Sequence, residues 1–137
     1  QEKIESRNIA ISDCEEGRFG YLLDRFVPQL LTPENFKGFL GARVRNMGER
    51  VGPKLFADRH RAMLTRVDSR KILQNTDIPV RAIVGRNDAL SSVEEHEEIA
   101  GLAPRGRLSL IEDCAHMPPF ETPQATTALL RDWLLYD

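Results

Sequence analysis

Two residues of this 137-residue chain have the types and settings for proton transfer: Asp88 in "GRND" (85–88) and His116 in "DCAHMPPFETP" (113–123). An imidazole changes charge near neutral pH, so it can take a proton and give it back. A carboxylate on one ring nitrogen fixes the tautomer and stabilises the imidazolium when the other nitrogen is protonated. Such a pair offers general acid–base catalysis, provided a nucleophile or substrate proton lies within reach. Plainer readings also exist, with Asp88 a turn residue and His116 a satisfied buried histidine. Topology alone leaves both open.

Other reactive types are sparse. His60, His96, Cys14 and Cys114 have no metal-ligand spacing, and neither a metal nor a cofactor is expected. Ser91 and Ser92 read as helix caps, and Ser109 lies inside an apolar run. Cys114 leaves the same strand end as His116, which is a poor position for its sulfur over the ring. His96, in "EEHEE", reads as exposed. Glu121 reads as an N-terminal helix charge in preference to a support for the histidine loop. Met117, Phe120 and Trp133 read as core.

The elements that would position Asp88 and His116 lie in the second half. "IPVRAIVG" (78–85) and "GRLSLIEDC" (106–114) are short β-rich runs. Between them, "SSVEEHEEIAGLAP" opens with a Ser92/Glu95 capping box and closes on Pro104. Strand, helix, strand implies two parallel strands with a right-handed crossover. Functional groups gather beyond the carboxyl ends of such strands, and Asp88 and His116 each follow one. Neighbouring strands are about 4.8 Å apart, so the two side chains can meet. The chain ends in a helix capped by Thr122 and opened by Pro123, with Ala125, Leu129, Trp133 and Leu134 as its buried stripe.

The first half reads as helices. "GYLLDRFVPQLL" is one, interrupted by Pro28. Thr32 and Pro33 start another, loosened by Gly38, Gly41 and Gly48 and ended by "VGP" at 51–53. A third is expected from about Asp58 to Leu73, with Ala62, Met63, Val67 and Leu73 on its apolar stripe.

Composition limits the function classes. No run approaches the roughly 18 to 20 apolar residues of a membrane helix, and the polar start "QEKIESRNIA" is no signal peptide. The two cysteines then read as free thiols of a cytoplasmic protein. Net charge is -2, so nothing draws the whole chain to nucleic acid. Residues 43–71 do hold nine basic residues (Arg43, Arg45, Arg50, Lys54, Arg59, Arg61, Arg66, Arg70, Lys71) against Glu49, Asp58 and Asp68. Without interleaved aromatics this reads as a solvated helix face, set against the acidic "EEHEE" helix.

The last 65 residues or so resemble the final third of an α/β-hydrolase. "IPVRAIVGRNDALSS" resembles the strand and loop carrying the acid of the catalytic triad. "RLSLIEDCAHMPPFETPQATTALLRDWL" resembles the strand, histidine loop and closing helix. The pairing of "G-x-x-D" with "H-M-P-P-x-E-x-P" about 28 residues on carries the resemblance. Ala115 departs from it, because the family usually has glycine there. The resemblance implies a partial α/β-hydrolase fold, with residues 1–60 a helical cap segment and 61–137 the C-terminal part of the core. It implies Asp88 as triad acid and His116 as base for ester or related hydrolysis of a small-molecule substrate.

The family's nucleophile sits on an upstream G-x-S-x-G elbow, which also supplies half of the oxyanion hole. No serine here (6, 12, 69, 91, 92, 109) has that setting. The chain is therefore expected to be inactive alone. Its non-methionine start fits a fragment whose N-terminal half is elsewhere. A homo-oligomer through an open sheet edge is the other expectation, because two parallel strands make no stable sheet. The competing function is a non-catalytic interaction or self-associating module.

Overall fold

Proline and glycine set most of the helix boundaries in the first half. The computed structural model describes residues 2–136. It begins with α1 (Glu2–Glu15) and α2 (Phe19–Phe26), followed by a 3₁₀ turn (Val27–Gln29) that carries Pro28. Pro28 has no N–H for a continuing helix, and the chain tightens there as expected. Then come α3 (Pro33–Lys37) and α4 (Phe39–Leu64).

Three expectations for this half need correction. The helix opened by Pro33 is interrupted at Gly38, whose extended backbone separates α3 from α4. Thr32 stands at the N-cap in extended conformation, but its side chain makes no capping hydrogen bond. The third helix begins earlier than Asp58. The backbone leaves helical geometry at Gly52 (φ 75°, ψ 163°), which glycine tolerates, and Pro53 reopens the helix at once.

The third helix also stops at Leu64 and does not run on to Leu73. Beyond it, the Asp68 carboxylate accepts the Arg70 N–H at 2.9 Å. That local bond competes with helix continuation and sets up the separate α5 (Arg70–Gln74). Val67 is left 79% exposed, so it joins no buried stripe.

The helical half buries two apolar clusters. One contains Ala10, Cys14, Leu22 and Ala57, with Phe19 and Phe56 packed against it. The other contains Leu23, Val27, Leu31 and Val44, and Met117 of the distant histidine loop packs into it.

Part of the basic stretch is paired within the helical half: Arg45 with Asp24 and Glu49, Arg61 with Asp58 and Glu15, and Lys54 with Asp58. Arg70 of that stretch reaches the acidic helix, bonding Glu98 at 2.6 Å.

In the second half β1 (Val80–Gly85), α6 (Val93–Leu102) and β2 (Gly106–Ile111) form the expected unit, with the strands parallel and in register from Val80↔Gly106 to Gly85↔Ile111. Ser92 and Glu95 make the full capping box at the start of α6. The chain closes with α7 (Pro118–Glu121) and α8 (Pro123–Tyr136).

The inward face of α8 differs from the expected stripe. Thr126 is buried and Leu129 and Trp133 are half-buried, while Ala125 is exposed and Leu134 is 73% exposed. The Trp133 indole N–H donates to the Pro79 carbonyl, and Asp132 pairs with Arg81 at 2.8 Å. Leu129 and Trp133 of the expected stripe thus face inward, joined by Thr126 in place of Ala125 and Leu134. Leu130, Leu134 and Leu135 stay exposed. Among the described residues, no helix is long and apolar enough to cross a membrane.

Candidate active site

The register of β1 and β2 ends both strands at the same level, and both functional loops start there. After β1 the chain turns through Arg86 and Asn87. The Arg86 N–H donates to the Ile111 carbonyl at 2.9 Å and the Asn87 N–H to the Cys114 carbonyl at 2.8 Å. After β2, Asp113 takes a left-handed φ of 51°, a conformation that aspartate tolerates better than most residues. The paired side chains of Arg86 and Glu112 brace this turn. Gly85 lies against the histidine loop so closely that a Cβ there would overlap the carbonyls of Cys114 and Ala115.

Asp88 and His116 meet across this junction, with His116 Nδ1 2.8 Å from Asp88 Oδ2. An ionised carboxylate only accepts, so Nδ1 carries the proton and Nε2 is the nitrogen left for proton transfer. The Asp88 side chain is 5% exposed and that of His116 37%.

Asp88 also accepts the N–H groups of Leu90 (2.8 Å) and Ser91 (3.0 Å) on Oδ1, and the Ser91 hydroxyl (3.0 Å) on Oδ2. Burial pushes its carboxyl up, but the Ser91 N–H, the His116 ring and the Leu90 N–H pull it down and prevail. Asp88 therefore titrates below the usual aspartate range and is a carboxylate at neutral pH.

A depressed carboxyl makes stability pH-dependent with a definite sign. Its contribution is complete above the unfolded value of about 3.9 and is lost as pH falls through the folded value. Urea unfolding between pH 5 and 3 is expected to show stability falling with acid. In Asp88→Asn the slope should be shallower over the same window, and an unchanged slope would contradict the assignment.

Of the remaining candidates, Ser91 serves Asp88 and Ser92 caps α6. Ser109 is buried in β2 and accepts from Arg81. Cys114 is fully buried, and burial pushes its thiol up, away from the reactive thiolate. Cys14 is buried too, and its thiol is likewise raised. Among the described residues, no serine or cysteine hydrogen-bonds to Nε2 of His116. His96 is half-buried, not exposed, and its Nδ1 lies 2.9 Å from the Ser92 carbonyl.

Glu121 departs most from expectation. It does stand in the first turn of α7, as expected, but its carboxylate is engaged well beyond that helix. Its Oε2 accepts the Ala115 N–H at 2.7 Å, beside His116. Its Oε1 accepts the Thr32 N–H at 2.6 Å and the Asn35 amide at 3.0 Å, both from the helical half. Nothing local in "PPFETP" signals this, because two of the partners lie more than 80 residues away.

No protein-family model and no curated protein matches the sequence. Solved structures do. The chain is similar to a thermophilic esterase from Thermogutta terrifontis, at 28% identity and a TM-score of 0.87, covering 98% of this chain and 50% of that one. It is similar to an enol-lactonase from Burkholderia xenovorans, at 19% identity and a TM-score of 0.82, over 95% of this chain and 50% of that one. It is also similar to an alpha/beta hydrolase enzyme from a Medee basin deep-sea metagenome library, at 18% identity and a TM-score of 0.77, over 96% and 50%. The chain thus spans about half the length of the solved structures it matches.

Proposed function

We propose, because this chain carries the C-terminal portion of an α/β-hydrolase fold, that Asp88 and His116 are the acid and base of a serine-hydrolase triad acting on small-molecule esters or related substrates. The nucleophile comes from outside these 137 residues. The observation that carries the reading is the 2.8 Å contact between His116 Nδ1 and a buried, ionised Asp88.

In the complete enzyme, Nε2 of His116 removes the proton of an elbow serine as its oxygen attacks the ester carbonyl. Asp88 stabilises the imidazolium, which then protonates the departing alkoxide. Water repeats the sequence on the acyl-enzyme. Residues up to about 60 form the cap segment over the site, and the remainder contributes the acid and histidine strands of the core.

The sheet supports an occupant for its open edge. Two strands leave outer edges unpaired, and Ile72, Ile78, Leu134 and Leu135 of the same half of the chain are exposed. That surface suits further strands of the same sheet, brought by the segment that holds the elbow. The same edge supports a second reading, a non-catalytic module that pairs with its own copy.

Two proteins of different length separate these readings. The chain expressed with the reading frame that precedes Gln1 is expected to hydrolyse a p-nitrophenyl ester, and the 137 residues alone are not. Failure of the longer protein to turn over esters, with light scattering reporting a stable homo-oligomer of the 137 residues, would favour the second.

A further inference from the structure

We propose that Glu121 is a positioning residue that ties the histidine loop to the cap segment, so that the placement of the base depends on the placement of the cap. The inference rests on the triad role of His116 given above. Donors from two parts of the chain converge on one carboxylate: the Ala115 N–H and the Cys114 thiol from the histidine loop, and the Thr32 N–H and Asn35 amide from the helical half. The Ala115 N–H belongs to the residue before the base and is 1% exposed, so Glu121 satisfies a buried group that water cannot reach. Thr32 N–H and the Asn35 amide come from the junction into α3 and its first turns.

Around this carboxylate the packing also crosses the junction. Met117 enters the Leu23, Val27, Leu31 and Val44 cluster, and the Arg43 guanidinium lies 5.2 Å from the Phe120 ring centroid. Burial pushes the Glu121 carboxyl up, while the Thr32 N–H, the Asn35 amide and the Ala115 N–H pull it further down. It is therefore ionised and free to accept on both oxygens. A glutamine cannot replace it fully. It has one accepting oxygen where two are used, and its NH₂ would face an N–H donor.

The test reads His116 directly. In Glu121→Gln the downfield NMR resonance of the His116 Nδ1 proton is expected to shift or broaden. Amide exchange at Ala115 should accelerate roughly tenfold, the size expected for an unsatisfied buried donor. In the assembled hydrolase, kcat should fall about tenfold or more with KM changed much less. Asn35→Ala leaves the loop untouched and removes only a cap-side donor. It should move the same resonance in the same direction by a smaller amount, and it keeps the test decisive where Glu121→Gln fails to fold.

A folded variant of either kind with His116 resonance and Ala115 exchange as in the wild type would overturn the proposal. The resonance and exchange readings need no catalysis. A lack of esterase activity would therefore count against the triad reading and leave this inference to stand or fall on its own.

Discussion

Replacing Asp88 with asparagine is expected to lower kcat/KM of the assembled hydrolase about 10⁴-fold while leaving the fold in place. The amide oxygen of asparagine can still accept from the Leu90 and Ser91 N–H groups that hold the loop. The other atom facing His116 Nδ1 becomes an NH₂ donor. Nδ1 then has to accept, the ring proton moves to Nε2, and the nitrogen required as base carries a proton already. His116→Ala should cost a similar amount. The double variant should cost little more than either single change, because the two residues act as one unit. Steady-state kinetics on the four proteins, with circular dichroism to confirm folding, measures this. Additive losses would indicate that the two residues do not work together.

Gly85→Ala is expected to destabilise the fold by about 3 kcal/mol, the upper part of the range for overpacking. The added Cβ meets the carbonyl oxygens of Cys114 and Ala115 and the Cys114 carbonyl carbon, all backbone atoms. Backbone there cannot move alone. The Asn87 N–H bond to the Cys114 carbonyl and the Glu121 bond to the Ala115 N–H would have to shift with it. The His116–Asp88 contact sits on the same loop, so loss of stability and loss of the dyad should appear together in urea unfolding and in the His116 ring resonances. A variant as stable as the wild type would refute the close-approach argument.

The dyad was legible in the sequence because it depends on short-range facts. Two β-rich runs, one capped helix between them and the rule that sites gather beyond strand ends are enough to bring Asp88 and His116 together. The Ser92/Glu95 box was legible for the same reason, since both partners lie within one turn. Other features failed where distant contacts decide. Thr32 looked like a side-chain cap, but its backbone N–H is engaged instead by Glu121, 89 residues on. Glu121 looked like a terminal charge because no local pattern encodes a carboxylate that serves two separated segments. The helix expected up to Leu73 is cut at Leu64 for a local reason instead, a competing bond from the Arg70 N–H to Asp68 two residues before it. The face of α8 was set by Trp133 and Asp132 reaching Pro79 and Arg81, contacts that an apolar count cannot see.

The proposed triad has its acid and base, Asp88 and His116, in this chain and its nucleophile outside it. Labelling with a fluorophosphonate serine probe tests it most directly, on the 137 residues alone and on the chain extended through its preceding reading frame. The expected result is no label on the short chain and stoichiometric label on one serine of the extension, lost in His116→Ala. Labelling of any serine within the 137 residues, or labelling of the extended protein that persists without His116, would contradict the account.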